Sequence, residues 1–403
     1  MAVPHHRHRM SLEGVIIPVP QPLKREDRDA ALRLFDSIIE QFEPSQATEN
    51  GLKPVSLIRL MKEEISDKDS FLKLFFPFIE HYLDGVSSDA EPSITHILSR
   101  LDSFTTWTTS DKSALGESLV MFANFLIDNF FLPLKALAAK TPQPTPASLS
   151  RAQISEAGIG TPQRVSTLRR DCLLRDRHRC VVTRKFDIQE AEDRLAKDGN
   201  DFKDDDGESL LPESDAMAFL EVAHIIPHSL MSLTSIDGDP KLAEHKLMAH
   251  KILNMFNPTA IPLISGTDID RPMNALTLTQ DLHTLFGRFQ IAFEYIGSHT
   301  YKIDYVKRDR LLRIVKLPVT RTLYLTPERN IDPPSVDLLK IHHAIAKILH
   351  LSAAGEFIDK FLRDMEEMEG GQVMSNGTSR IDDYVRFKLA GCLDGCFEET
   401  SVC

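Results

Sequence analysis

Apolar residues recur at spacings of three and four in ALRLFDSIIEQF, VSLIRLMKEEI, FLKLFFPFIEHYL and LVMFANFLIDNFFLPL, which predicts amphipathic helices over residues 25–140. Ser110 with Asp111 offers a start for the last of these. The pattern then breaks, because TPQPTPASLSRAQISEAGIGTPQR crowds prolines among small polar residues and reads as a linker over 141–164. Val165, Leu168, Cys172 and Leu173 return to helical spacing, with arginines on the other faces. From Phe219 the period shortens: FLEVAHI and ALTLT read as strands, QDLHTLF as a short helix, and FQIAFEYI with YKIDYV as a hairpin around Ile296-Gly297-Ser298. Past Pro333-Pro334 the chain is again amphipathic helix, and after Glu369 it is Gly- and Ser-rich and loose. The predicted class is α+β: a helical region over 1–140, a mixed central domain over 165–306 with an extra hairpin, C-terminal helices over 307–368 and a tail over 369–403.

Composition leaves that picture intact. The 403 residues are 42% hydrophobic and 26% charged, which excludes collagen, coiled-coil rod and wholesale disorder. Five cysteines are too sparse and uneven for a disulfide framework, so the expected setting is intracellular, in cytoplasm or nucleus. The basic N-terminus lacks the apolar core of a signal peptide. The most apolar stretch, Leu119 to Ala139, contains Asp128, Pro133 and Lys135 and reads as a buried helix, with no membrane partner.

Charge changes the picture more. The net value of −12 argues against coating nucleic acid by bulk charge. Yet residues 164–185 carry eight basic side chains against Asp171 and Asp176, a local +6. Residues 187–215 carry twelve acids against Arg194, Lys197 and Lys203, a local −9. Within the basic run Arg169, Arg170 and Arg175 are the candidate phosphate contacts, set against the ordinary alternative of a solvated helix face. The acidic stretch 198–215 reads as a solvated insertion that covers the basic patch only on a more speculative view.

Candidate chemistry sits in three pieces: a strand running Glu221-Val222-Ala223-His224-Ile225-Ile226-Pro227-His228, Asn274 opening the second strand, and His283 in the helix that follows. Histidine suits a general base near neutrality, and a second histidine or a carboxylate nearby can hold a divalent cation that neutralises phosphate charge. Pro227 ends the strand and is expected to leave His224 at an open tip.

AHIIPHS followed by RPMNALTLTQDLHTLFGRFQI resembles the HNH endonuclease family with its ββα-metal finger, in a branch common among fungal proteins. RHRCVVT at 177–183 is similar to that branch's upstream Cys-x-x-Thr element. The resemblance spans residues 165–306, about a third of the chain. It implies His224 as the base that activates water, His283 as a metal ligand and Asn274 as a brace for the loop that orients His224. It also implies a divalent cation, Mg²⁺ or Mn²⁺ before Zn²⁺, and a nucleic-acid substrate, DNA before RNA.

Two positions depart from the family. Ala223, where many members place a ligating Asp or His, cannot coordinate, and Gly287 stands where some place a further ligand. Glu221, two residues earlier and on the same strand face, is the candidate replacement, with His228 the alternative. Cys180 reads as core rather than as part of a zinc knuckle, and Cys392, Cys396 and Cys403 as an incidental cluster in the tail. Two function classes follow: a metal-dependent endonuclease, and an HNH-fold scaffold that binds protein partners without catalysis.

Overall fold

A computed structural model describes residues 22–46, 48, 50–84, 93–138, 162–227, 240–307, 315–326 and 330–369. The N-terminal periodicity becomes helices α1 (Arg25–Phe42), α2 (Pro54–Glu64), α3 (Lys68–Asp84), α4 (Ile94–Leu101), α5 (Thr109–Leu126) and α6 (Leu132–Ala138). Their apolar stripes meet in a phenylalanine cluster in which Phe35, Phe71, Phe75 and Phe122 pack mainly edge to face. Helix α5 begins earlier than Ser110-Asp111 suggested. Thr108 is the N-cap, its Oγ1 accepting from the Asp111 backbone N–H while donating to the Asp111 carboxylate. Asp111 thus sits one turn inside the helix and closes a reciprocal cap.

Between α5 and α6 the backbone takes one π-helical stretch, Ile127–Phe131, directly before Pro133. A wider turn here frees the backbone from the carbonyl clash and lost donor that proline imposes on a regular helix. The span Thr109–Ala136 is long and apolar enough by length and composition to cross a membrane, but 61% of its apolar window is buried inside the protein.

The linker expected over 141–164 lies outside the described residues up to 161. From Pro162 the chain is already helix α7 (Pro162–Arg175), then α8 (Ile188–Asp198). Strand β1 (Leu220–His224) pairs antiparallel with β2 (Ala275–Thr279), with His224 opposite Ala275 and Glu221 opposite Leu278. Helix α10 (Gln280–Gly287), preceded by α9 (Pro240–Phe256), packs on both strands, as does α7. Alternation assigns the two faces: Val222 and Ala275 cluster with Leu168 and Cys172 of α7, while Ala223, Leu276 and Leu278 join Leu282 and Phe286 of α10 in the main core.

A second sheet, order β3-β4-β5, follows from β3 (Ile291–Gly297), β4 (Thr300–Tyr305) and β5 (Val319–Thr322). The β3–β4 loop is Ser298-His299, both at positive φ (46° and 54°), the backbone that a two-residue hairpin with the right twist demands. Helices α11 (Val336–Leu351) and α12 (Ala354–Glu369) close the fold, α11 lying against β3 and α2. One apolar core runs from the N-terminal helices through α9, both sheets and α11 to Met365. The tail beyond 369, with Cys392, Cys396 and Cys403, lies outside the described residues.

Candidate active site

Asn274 is fully buried at the entrance to β2. Its Oδ1 accepts from the Ile226 backbone N–H (2.9 Å), and its Nδ2 donates to the Ile226 carbonyl and to the Ile269 carbonyl (3.0 Å each). Its own carbonyl accepts from the Ile225 N–H at 2.8 Å. One amide side chain thereby satisfies both backbone groups of the second residue after His224. The amide head of Asn offers a donor and an acceptor in one plane on a side chain short enough to reach the neighbouring backbone.

On the α10 face, the His283 Nδ1–H donates to Glu221 Oε2 at 2.7 Å. At that distance the two side chains are joined by a hydrogen bond, the carboxylate bonded to one ring nitrogen of His283. The sequence placed Glu221 beside the metal as a replacement ligand. The structure brings it to His283, in contact with the ring. His228 lies outside the described residues.

His224 does not stand at an open tip. Its side chain is 3% exposed, and its Nε2–H donates to Asp270 Oδ1 at 3.2 Å, with the Asp270 side chain 2% exposed. Arg164 Nε, on α7, stands 3.8 Å from the other oxygen of Asp270. The cause is the strand period: at position 224 the side chain falls on the face covered by α7 and by the short helical turn Gly266–Asp270. Asp270, which contacts His224, is not among the candidate residues of the sequence. It stands four residues before Asn274 in GTDIDRPMN and 46 residues from His224, a separation that no periodicity reveals.

The basic run is mostly consumed by the fold. Arg175 is wholly buried: it forms a bidentate pair with Asp176 (3.0 and 2.8 Å) and donates to the carbonyls of Pro272, Ala275 and Asp332. It clamps α7 to the start of β2 and, buried there, cannot be the phosphate contact expected from the sequence. Arg169 donates to the Leu220 carbonyl at 2.7 Å and lies 3.5 Å from Asp187, facing the strand. Arg170 remains on the surface with its side chain 67% exposed, bonded to Asp171.

The acidic stretch 198–215 is mostly exposed, as expected, but it is anchored to its surroundings. Phe202 and Leu210 bury themselves with Phe186 and Ala191. Asp204 and Glu213 pair with Arg179, Asp205 with Arg194 and His178, and Asp206 with Arg177. Burial opposes ionisation of Asp205, but the His178 and Arg194 bonds win and hold its carboxyl down at about 2. Spacing alone conceals this because the charges of opposite sign are 25 to 34 residues apart in the pairs that Arg179 makes.

The Cys-x-x-Thr element forms a turn in which the Thr183 N–H points at Cys180 Sγ (3.4 Å) and the Val181 N–H donates to the Thr277 carbonyl on β2. Both Cys172 and Cys180 are buried, and burial pushes the Cys172 thiol up to about 12, which leaves it a core residue rather than a thiolate ligand.

Strands β1 and β2 thus pair antiparallel, with Asn274 bonded to the backbone that follows β1, His224 at the end of β1 and His283 on α10. Residues 180–294 match the family model of HNH endonuclease. The HNH match covers β1, the asparagine clamp, β2, α10 and most of β3, and leaves the N-terminal helices and α11–α12 outside it. No curated protein and no solved structure matches the chain.

Proposed function

We propose that the protein is a metal-dependent HNH endonuclease that hydrolyses phosphodiester bonds in nucleic acid, DNA before RNA. The observation that carries this reading is the Asn274 clamp. A buried side chain that spends three hydrogen bonds on the backbone at Ile226 and Ile269 serves to fix where His224 ends β1, the requirement of a general base that must meet water and phosphorus in line.

His283, oriented by Glu221, is the side chain on this chain suited to hold a cation. Among the described residues no group of three or more His, Cys, Asp and Glu is arranged to hold a metal. A single imidazole with a carboxylate behind it does not build a tetrahedral zinc site, but it suits Mg²⁺ or Mn²⁺, which keep most of their waters. Such an ion, when bound, neutralises charge on the phosphate and stabilises the leaving oxygen. His224 takes the proton of the attacking water, and Asn274 holds the turn that aims it.

The same sparse ligand set, with Ala223 and Gly287 unable to coordinate, favours a second reading in which the finger is an inert scaffold for protein partners. Incubation of supercoiled and linear DNA, and of RNA, with Mg²⁺ or Mn²⁺ against EDTA separates the two. Nicking that EDTA stops, and that His224→Ala reduces by ~10²–10⁴, supports the endonuclease. A wild type inert toward all substrates with either metal leaves the scaffold.

A further inference from the structure

The end of the basic run keeps its charge. Arg175, Arg177 and Arg179 each pair with a carboxylate, whereas Arg184 and Lys185, just past the Cys-x-x-Thr turn, have no carboxylate partner among the described residues. A third such cation, Arg321, meets them from β5. Arg321 donates its Nε–H to the Val182 carbonyl of the turn at 2.7 Å, and Arg184 donates through Nη2 to the Thr322 carbonyl of β5 at 2.6 Å. The turn and the edge strand of the second sheet thus hold each other's arginines. Tyr324 lies against the guanidinium groups of Arg184 and Arg177, 4.4 and 4.8 Å from its ring centroid.

Carbonyls and an aromatic ring fix the direction of a guanidinium but leave its charge uncompensated. Burial lowers the Arg184 guanidinium from the usual arginine range, Tyr324 opposes that, and the charge of Arg321 adds to it. Asp176 also faces Arg184, but both its oxygens are bonded to Arg175. Like charges gathered at one spot repel, and they stand here in a chain whose net charge is −12.

Resting on the endonuclease reading, we propose that Lys185 and Arg321, backed by Arg184, form the patch that holds the phosphate backbone of the nucleic-acid substrate. Lys185 is exposed, and its ammonium has no partner among the described residues. Arg321 is half-buried; its Nε and Nη1 are bonded to carbonyls and its Nη2 is not. Arg184 has one guanidinium nitrogen wholly enclosed and acts through its charge and its hold on β5, without touching phosphate.

Place and chemistry together name the occupant. Arg184 and Lys185 belong to the stretch that matches the HNH family, and the neighbouring Val181 N–H donates to the Thr277 carbonyl of β2, so the patch is fixed to the finger. Cations anchored in this way grip phosphate oxygens and set the register of a strand without reading its sequence.

The test is anisotropy with a labelled DNA duplex in EDTA, where binding is read without cleavage, and nicking of supercoiled DNA with Mn²⁺ in parallel. Wild type is compared with Lys185→Glu, Lys185→Gln and Arg321→Gln, and with Arg33→Glu, an exposed position on α1 that shifts net charge as far as Lys185→Glu does. Lys185→Glu and Arg321→Gln are each expected to raise Kd on the order of 10-fold at low salt and to lower the slope of log affinity against log salt by roughly 1, with Arg33→Glu changing neither. If Arg321→Gln does not fold, the two Lys185 variants, whose side chain anchors nothing, carry the comparison. Unchanged affinity and slope in the Lys185 variants, an equal loss in Arg33→Glu, or a wild type that does not bind in EDTA overturns the inference, and nicking by that wild type leaves the endonuclease standing. Binding that the variants lose, with no nicking by the wild type, keeps the patch and removes the endonuclease. A wild type that prefers a polyglutamate peptide to the duplex, and loses only that binding in the variants, makes the partner an acidic protein and overturns the inference too.

Discussion

The imidazole of His342 lies flat on the ring of Phe286, with centroids 3.8 Å apart and planes 6° from parallel, and its Nε2–H donates to the Phe286 carbonyl at 3.1 Å. Phe286 is one turn along α10 from His283, so a histidine on α11 holds the helix that carries the candidate metal ligand. Burial drives the His342 imidazole down to about 3, only partly offset by the Phe286 carbonyl. Burial lowers His250 on α9 in the same direction.

Acid sensitivity follows with a definite sign. Above pH ~6.5 His342 is neutral in both folded and unfolded chains and adds no pH dependence. Below that, the unfolded chain takes up a proton the folded one refuses, so stability falls as pH drops from about 6.5 toward about 3. The slope from this residue is ~1.4 kcal/mol per pH unit. Urea midpoints at pH 7, 6, 5 and 4 measure it, and His342→Phe, which keeps the stack, is expected to start less stable at pH 7 and to show a shallower decline.

Arg175 and Arg170 part company under charge reversal. Arg175→Glu sets a second acid against Asp176 in a dry site and strands three carbonyls, with an expected loss of ~3–5 kcal/mol or outright failure to fold. Arg170→Glu is expected to leave the melting temperature within 2 °C or so, since exposed charges contribute little to stability. Anisotropy with labelled DNA at two salt concentrations then shows whether Arg170 touches phosphate, as a loss of affinity and a shallower salt dependence.

Glu221→Gln keeps shape and removes charge beside His283. Calorimetric titration with Mn²⁺ is expected to show affinity lower by roughly 10- to 100-fold, with thermal stability nearly unchanged. His283→Ala is expected to abolish the same heat. Equal Mn²⁺ affinity in wild type and both variants would move the metal away from α10.

Asn274→Ala tests the clamp. Loss of its bonds leaves the Ile226 N–H and two carbonyls without their partner in a buried site, at an expected cost of about 2–4 kcal/mol. Nuclease activity should fall further than the unfolded fraction accounts for, measured well below the variant's melting temperature. Activity proportional to folded protein would mean that the clamp serves stability alone.

Periodicity made much of this fold legible. The helical N-terminal region, β2 over Ala275–Thr279 and both C-terminal helices stand where the apolar spacing put them. Helix α9 is not among the predicted elements, although Ala249, Ile252, Leu253 and Phe256 lie on one buried stripe, because the buried His250 interrupts the apolar spacing there. Strand β5 is four residues with a half-exposed alternation, too short to stand out from its surroundings. At the site, His224, Asn274 and His283 were readable from order and spacing. The burial of His224, its contact with Asp270 and the internal use of Arg175 were not, because each depends on which of two strand or helix faces a neighbour covers, and periodicity does not name the neighbour.

Helix α9 carries a different consequence. Its Met255 carbonyl receives the backbone N–H groups of Ser66 and Asp67 from the connection between α2 and α3, and the Phe286 carbonyl on α10 receives the His342 Nε2–H from α11. The stretch that matches the nuclease family is therefore woven into its flanks instead of hung from them. Nature and the laboratory can move a cassette between proteins when its borders are wet; these borders are dry. Excised as residues 165–306, the finger would present the stripe of α9 that now lies against α3, and the flank of Phe286 that His342 covers, to water. Whatever the helical wrapping recognises, it is inherited together with the finger.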